Sequence, residues 1–124
     1  MGHGIAQVAA QVARSEVYIT DVKQEFLHRG LEMIDDSLGR FVRKGELSES
    51  ERTEVKNRIH ATLSLKEALR DADLVIEAAP EKAQLKRRLF SEVDEIAPQR
   101  TIVASNTSSI SITLLAKATK RPEK

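Results

Sequence analysis

The sequence alternates short apolar segments with longer amphipathic ones, and this alternation constrains the fold more than any other feature. Strands are predicted at residues 16–20, 73–79 and 101–104, and a helical pattern follows each of them. The links between these segments are only a few residues long. Strands that alternate with helices through short links are typical of a parallel sheet covered by helices on both faces. We therefore predict one α/β domain with a doubly wound parallel sheet.

A long helical hairpin is predicted after the strand at residues 16–20. Its first helix runs from Lys23 to about Arg43 with one apolar stripe, and Gly45 suits the position just past a helix end. Ser48 and Glu51 have the spacing of a capping box, which predicts the start of the second helix. The hairpin is either a lid over a ligand or a solvated structural insertion. A short edge strand is predicted at residues 58–63.

The second half of the chain predicts two strands around one clear amphipathic helix. Residues 73–79 are nearly all apolar, so this strand is expected to be buried on both faces. The helix at residues 81–96 is expected to bury one apolar stripe and to turn its basic side chains outward. The stripe consists of Leu85, Leu89, Val93 and Ile96, and the outward residues are Lys82, Lys86, Arg87 and Arg88.

Composition excludes several classes of function. Twenty Lys and Arg residues nearly balance 19 Asp and Glu residues, so nothing indicates binding to nucleic acid or to a membrane surface. No stretch approaches the roughly 20 apolar residues that span a bilayer. The absence of cysteine excludes disulfides, thiolate catalysis and cysteine-based metal sites, and it favours the cytoplasm. We predict no metal site.

Two polar segments lie where a parallel sheet binds ligands, at the carboxyl ends of strands. Residues 105–109 read Ser-Asn-Thr-Ser-Ser, and they either present hydroxyl and amide groups to a ligand or only form a turn before the next helix. Asp21 follows the strand at residues 16–20. A carboxylate there accepts hydrogen bonds from a ribose and favours NAD over NADP, although Asp21 suits equally well the N-cap of the next helix.

Taken together, the motifs resemble the NAD-binding domain of the 3-hydroxyacyl-CoA dehydrogenases. The resemblance covers the whole chain, and the motifs follow the order and spacing of that family. It rests on Met1-Gly2-His3-Gly4-Ile5-Ala6, Asp21, Val75-Ile76-Glu77-Ala78 with Pro80, Glu81 and Lys86, and Ala104-Ser105-Asn106-Thr107-Ser108-Ser109.

The resemblance implies a Rossmann-like fold and an NAD-dependent oxidoreductase. The reaction would transfer a hydride between NAD and a (3S)-3-hydroxyacyl-CoA, giving the 3-oxoacyl-CoA, as in fatty-acid β-oxidation or butanoate metabolism. The resemblance also implies a small-molecule acyl-CoA as partner and a homodimer for the full-length protein. Two related readings stay open, a β-hydroxyacid dehydrogenase and a catalytically inactive NAD-binding structural protein.

The same resemblance assigns roles to individual residues. Ser108 and Asn106 would act in catalysis, with Ser108 as a polarising group that is not a nucleophile. The cofactor-binding residues would be Gly2, Asp21, Glu81, Lys86 and Ser108. The residues that bind coenzyme A would be Ser37, Lys44 and Ser108; Ser37 and Lys44 lie two helical turns apart and so point to the same side.

The sequence departs from the family at both ends. Only the last glycine of the Gly-x-Gly-x-x-Gly turn is present, as Gly2, and no strand precedes it. The catalytic histidine would lie on a strand that begins just after Lys124. We therefore expect residues 1–124 to be a partial NAD-binding domain without the C-terminal helical domain, and to be inactive alone.

Overall fold

The computed structural model describes all residues 1–124 and divides them into two compact units, Met1–Ser64 and Leu65–Lys124. Each unit contains one pair of parallel strands with helices before and after the strands. The predicted alternation of strands and helices is therefore confirmed within each unit. None of the helices combines the length and the apolar character that crossing a bilayer requires.

The first unit contains three helices and one pair of strands. In chain order its elements are α1 (Gly2–Gln11), β1 (Val17–Thr20), α2 (Gln24–Arg43), α3 (Glu49–Asn57) and β2 (Ile59–Thr62). The strands β1 and β2 pair in parallel, with Val17 opposite Ile59 and Thr20 opposite Thr62. The predicted edge strand after the hairpin is thus confirmed as β2.

Small residues let α1 lie close to the core of the first unit. Ala6 and Ala10 are buried there, together with Ile34 and Leu38 of α2 and Val55 of α3. The half-buried Val17 and Ile19 of β1 pack against the same cluster. Because α1 and β1 are joined by a short link and pack side by side, they run in opposite directions. The amino end of α1 therefore lies at the carboxyl end of β1.

The helical hairpin has the boundaries that its capping residues predict. Gly45 adopts φ +73° after α2, and the N–H of Glu46 donates to the carbonyl of Phe41 at 3.0 Å, which completes a Schellman motif. The Ser48 hydroxyl accepts the Glu51 N–H at 3.0 Å, and the Glu51 carboxylate accepts the Ser48 N–H at 2.7 Å. This reciprocal pair is the predicted capping box at the start of α3.

Ion pairs join α2 to α3. Asp35 accepts from Arg52 at 2.9 Å and from Lys56 at 3.1 Å. The hydrogen bonds from Arg52 and Lys56 outweigh the effect of burial and lower the pKa of Asp35 below its usual value. The hairpin is therefore a fixed element of the first unit.

The second unit is built around the other pair of strands. Its elements are α4 (Leu65–Leu69), β3 (Leu74–Glu77), α5 (Ala83–Ile96), β4 (Ile102–Ser105) and α6 (Ile112–Ala116). The strands β3 and β4 pair in parallel, with Leu74 opposite Ile102 and Glu77 opposite Ser105. The carboxyl ends of these strands are therefore adjacent, as the ligand-binding edge of a parallel sheet requires.

The expectation that residues 73–79 are buried on both faces is wrong. Val75 packs with Val103 against a core of Leu69, Val93 and Ala97, but Leu74 and Ile76 on the other face are 54% and 41% exposed. The reason is that the helices of this unit cover one face of the two-stranded sheet. An all-apolar strand is therefore only half covered here.

The buried face of α5 lies one residue further along than predicted. Val93 is buried as expected, whereas Leu85, Leu89 and Ile96 are only half-buried. Lys86 and Phe90 are buried in their place, at 1% and 4% exposure. The predicted outward orientation of Lys86 is therefore wrong. Lys86 points inward because its ammonium group bonds to the carboxylate of Glu77 at the end of β3.

Candidate functional site

A buried ion pair lies at the carboxyl end of β3. Glu77 is the last residue of that strand and is 8% exposed, and Lys86 on α5 is 1% exposed. The Lys86 ammonium donates to Glu77 Oε1 at 2.7 Å, to Glu77 Oε2 at 2.9 Å and to the carbonyl of Ala79 at 2.9 Å. All three ammonium protons are thus directed at acceptors within the protein. A buried charge needs such compensation, since it has lost its hydration.

The Glu77 carboxylate is also fully bonded. Besides the two bonds from Lys86, Oε1 accepts the backbone N–H of Ala79 and Oε2 accepts the Ser105 hydroxyl at 2.6 Å. Ser105 is the last residue of β4 and lies directly opposite Glu77 in the sheet. Glu77 therefore connects four positions, on β3, on the turn after it, on α5 and at the end of β4.

The Ser-Asn-Thr-Ser-Ser segment forms an ordered loop that is hydrogen-bonded to Glu77. The backbone N–H of Asn106 donates to the carbonyl of Glu77 at 2.8 Å, which extends the strand pairing by one bond. The backbone N–H of Thr107 donates to the Ser105 hydroxyl oxygen at 3.1 Å. The hydroxyl of Ser105 is therefore a link between the buried carboxylate and the loop.

A second carboxylate holds the outer part of the loop. Glu81 Oε1 accepts the hydroxyls of Thr107 and Ser109, the latter at 2.8 Å. Glu81 Oε2 lies 3.4 Å from the Lys86 ammonium. The Thr107 hydroxyl, the Ser109 hydroxyl and Lys86 together outweigh the effect of burial, so the pKa of Glu81 is below its usual value. Glu81 is therefore ionised at neutral pH.

Ser108 lies between the two loop residues that Glu81 holds. It is exposed at the carboxyl end of β4, as is Asn106, and neither side chain makes a hydrogen bond within the protein. The structure thus brings Glu81, Lys86 and the predicted catalytic residues into one cluster in the second unit. Their roles in binding and catalysis stay predictions, and the Lys86 ammonium is fully engaged by protein acceptors.

Asp21 follows β1 in the first unit and is exposed. Its Oδ1 accepts the backbone N–H of Val22 at 2.7 Å, and its Oδ2 has no donor in the protein. The N-cap of α2 is Lys23, so the alternative that Asp21 caps this helix is wrong. An exposed carboxylate with one free oxygen at a strand end is suited to accept ribose hydroxyls.

The amino end of α1 lies at the same end of the first unit as Asp21. No side chain caps this helix, and the first N–H groups of a helix, here those of Gly2 and His3, have no acceptor within it. Unpaired N–H groups and the helix dipole make such an end favourable for phosphate oxygens. The predicted role of Gly2 in phosphate binding stays a prediction.

Ser37 and Lys44 lie on the fixed hairpin of the first unit. Ser37 is half-buried within α2, and Lys44 is the exposed C-cap residue, with φ −82° and ψ −3°. Because Lys44 keeps the helical conformation, the seven-residue spacing places both side chains on one side of α2. Their predicted contact with coenzyme A stays a prediction.

The sequence matches a known protein family over its whole length. Residues 1–124 match the family described as 3-hydroxyacyl-CoA dehydrogenase, NAD binding domain. The chain belongs to this family. Its cofactor is NAD, and the resemblance drawn from the motifs is confirmed over the full sequence.

Individual relatives agree with the family match. A probable 3-hydroxybutyryl-CoA dehydrogenase of Deinococcus radiodurans is 49% identical over 122 residues, which are 98% of this chain and 43% of that protein. The crystal structure of 3-hydroxybutyryl-CoA dehydrogenase from Escherichia coli K12 is 37% identical with a TM-score of 0.94, over 99% of this chain and 26% of that one. The (S)-3-hydroxybutyryl-CoA dehydrogenase from Ralstonia eutropha is 37% identical with a TM-score of 0.93, over 99% of this chain and 43% of that one.

These matches confirm the predicted Rossmann-like α/β fold. The chain spans less than half the length of each of these relatives. The activity of the whole proteins is therefore a proposal for the present chain.

The connecting bonds of Glu77 and of the Ser105 hydroxyl were not predicted from the sequence. A signal was present, since Glu77 is the one charged residue among the apolar residues 74–79. A charged residue is almost never buried without a partner, so its position called for a cation nearby. Lys86 could have been identified as that cation. No group of three or more His, Asp or Glu side chains is arranged to hold a metal ion.

Proposed function

We propose that residues 1–124 are the NAD-binding part of an enzyme that oxidises a (3S)-3-hydroxyacyl-CoA to the 3-oxoacyl-CoA. The observation that carries this proposal is the loop at residues 105–109. It presents the free hydroxyl of Ser108 at the carboxyl end of β4, between two residues bonded to Glu81. The names of the relatives, 3-hydroxybutyryl-CoA dehydrogenases, support an acyl-CoA as the substrate.

Each unit offers groups that suit a part of a dinucleotide. In the first unit, the amino end of α1 at Gly2 suits the phosphates and the free oxygen of Asp21 suits the adenosine ribose. In the second unit, Glu81 and Ser108 are accessible to the cofactor. Lys86 would influence the cofactor through its positive charge and not by direct contact, because its ammonium group donates all its hydrogen bonds to acceptors within the protein.

The reaction removes a hydride and a proton from the substrate, and each of them needs its own acceptor. When bound, NAD would supply the acceptor for the hydride that leaves the substrate carbon bearing the hydroxyl, and Gly2, Asp21, Glu81 and Ser108 would hold this cofactor. Ser108 donates a hydrogen bond to the substrate oxygen and holds it as the C–O bond gains double-bond character, and Asn106 supports the same oxygen. The hydroxyl proton passes to a general base, which we place in the part of the relatives that residues 1–124 do not match.

Ser37 and Lys44 are proposed to bind coenzyme A. A hydroxyl and an ammonium on one side of a fixed helix are suited to its phosphate and amide oxygens. We further propose a homodimer as the assembly of the whole protein and the cytoplasm as its place. The absence of cysteine supports a reducing compartment.

Replacing Ser108 by alanine tests the catalytic proposal. In the protein expressed from its complete reading frame, we expect NADH formation from (3S)-3-hydroxybutyryl-CoA, and S108A should lower kcat by about 10- to 100-fold, a larger change than in the KM for NAD. The lost bond is one that strengthens as the reaction proceeds, which is why kcat falls.

The matched control is S111A, since the Ser111 hydroxyl makes no capping bond at the start of α6. It should keep the wild-type rate. Tight NAD binding without turnover by the wild-type protein would reject the dehydrogenase proposal in favour of an inactive NAD-binding protein. An S108A variant with the kcat of wild type would reject the role of Ser108 alone.

Replacing Asp21 by asparagine tests its ribose contact. We expect D21N to bind NAD about tenfold more weakly and to bind NADP no more weakly than wild type, because a carboxylate repels a 2′-phosphate. Isothermal titration with each nucleotide measures both constants. The control is D36N on α2, where the carboxylate is exposed and makes no ion pair. Equal losses for NAD and NADP in D21N would contradict the assigned contact.

A further inference from the structure

The hydroxyl of Ser105 is the only side-chain group that bonds both to the buried Glu77–Lys86 pair and to the backbone of the loop carrying Ser108. It donates to Glu77 Oε2 at 2.6 Å and accepts the backbone N–H of Thr107 at 3.1 Å. Its donor and acceptor capacities are thus used in two directions. The donated bond goes to the buried Glu77 carboxylate, and the accepted bond comes from Thr107, the residue before Ser108.

We infer that Ser105 is a positioning residue, which sets the place of Ser108 by fixing Thr107 relative to the Glu77–Lys86 pair. This inference rests on the proposed function of Ser108, because a fixed place for that hydroxyl matters only if it touches a ligand. Ser105 itself is half-buried and both its bonds are internal, so it does not act on a ligand directly.

The anchor of this chain of bonds is rigid. Glu77 is held by two bonds from Lys86 and one from the N–H of Ala79, and Lys86 in turn holds the carbonyl of Ala79. Both side chains are less than a tenth exposed. Competition from water is therefore weak, and the carboxylate oxygen that receives the Ser105 hydroxyl is fixed in position.

Thr107, at the loop end of this series of hydrogen bonds, is also held by several bonds. Once the Thr107 N–H is fixed, the Thr107 hydroxyl donates to Glu81 and also accepts the N–H of Ile110 at 3.0 Å. Ser108 is the residue enclosed by these bonds, and its own side chain is free. Two carboxylates thus hold the loop from two sides, Glu77 through Ser105 and Glu81 through Thr107 and Ser109.

Geometry of this kind affects turnover more than binding. A shift of about 1 Å in a reacting group lowers the rate by up to about 100-fold. Removal of the Ser105 hydroxyl leaves the bond from the Asn106 N–H to the Glu77 carbonyl in place, so the loop stays attached to the sheet. We therefore expect a loop that is present but less fixed at Thr107 and Ser108.

The test compares S105A, S105T and S111A in the protein expressed from its complete reading frame. S105A should lower kcat about tenfold, with the KM for NAD within twofold of wild type. S105T keeps a hydroxyl at the same place and should restore most of the lost rate. S111A removes a hydroxyl six residues away that makes no capping bond and should match wild type.

Hydrogen exchange gives a readout that does not depend on activity. The amide of Thr107 should exchange about fivefold faster in S105A than in wild type, as the loss of one hydrogen bond predicts, and at the wild-type rate in S111A. Amides in α5 should keep their protection, which shows that the unit has not simply lost stability.

The outcomes separate this inference from the proposed function. If the wild-type protein does not turn over a 3-hydroxyacyl-CoA, the proposed function fails, and the exchange data still decide whether Ser105 positions the loop. If S105A keeps the kcat of wild type or Thr107 exchanges at the wild-type rate, the inference is wrong. A rate that S105T does not restore would also overturn it, because the hydroxyl would then not be the cause.

Discussion

Replacing Lys86 by methionine should lower the free energy of unfolding of the chain by about 3–5 kcal/mol. Methionine occupies a similar volume, so the loss comes from the charge and not from a cavity. The Glu77 carboxylate, itself less than a tenth exposed, would then be left with hydrogen bonds from Ala79 and Ser105 but with no cation. Removing one partner of a buried ion pair is strongly destabilising for this reason.

The neighbouring Arg87 provides the matched control for this prediction. It is exposed on the same helix, one residue further on, and R87M should change the free energy of unfolding by no more than about 0.5 kcal/mol. Equilibrium unfolding in urea measures both variants. Equal effects of K86M and R87M would show that the ammonium of Lys86 is not the stabilising group.

A double variant separates the ion pair from the packing of its stems. In E77Q with K86M neither charge remains unpaired, and the glutamine carbonyl can still accept the hydrogen bond from Ser105. We expect this variant to recover at least half of the loss seen in K86M. A loss that is equal to the sum of the two single losses would mean that Glu77 and Lys86 contribute independently, which contradicts their direct contact of 2.7 Å.

Replacing Arg121 by methionine should also lower the free energy of unfolding by about 3–5 kcal/mol, because it breaks a second buried ion pair. The Arg121 Nε donates to Asp94 Oδ1 at 2.6 Å, and the two side chains are 6% and 5% exposed. The guanidinium also donates to the carbonyls of Asp94, Ala97 and Pro98. Arg121 thereby bonds to one carbonyl in the last turn of α5, to the two carbonyls that follow the helix and to one carboxylate.

Lys120 is the control for Arg121. Its side chain is exposed and only its backbone N–H donates to Asp94, so K120M should stay within about 0.5 kcal/mol of wild type. Urea unfolding of both variants is the measurement. A loss in K120M as large as that in R121M would indicate a general effect of charge near the end of the chain.

The effect of R121M should depend on pH in a defined direction. Burial raises the pKa of Asp94, but the hydrogen bonds from Arg121 and from the Lys120 N–H outweigh it and hold that pKa below its ordinary value of 3.8. A carboxylate with a lowered folded pKa stabilises fully above the unfolded value and loses this contribution as the pH falls through the folded value. The difference between R121M and wild type should therefore be largest near neutral pH and shrink below about pH 4.

Local sequence patterns determined the elements and several of their ends. Gly45 ends α2 because only a residue that tolerates positive φ continues the Schellman motif, and Ser48 with Glu51 begins α3 because each side chain satisfies a backbone group of the other. These interactions span a few residues, so the sequence contains all that they need. The parallel order of strands and helices follows from the same short links.

Tertiary structure decided the environment of the charged residues. Lys86 was expected at the surface from the pattern of α5, yet it is the most buried charged residue. Its ammonium group bonds to the carboxylate of Glu77, nine residues earlier and on another element, and to the carbonyl of Ala79. The exposed faces of Leu74 and Ile76 were likewise decided by which helices cover β3. By itself the sequence determined the fold class, the family motifs and the positions of Asp21 and Ser108. Only packing decided that two carboxylates hold the loop around Ser108, because hydrogen bonds between distant segments depend on the register of β3 with β4.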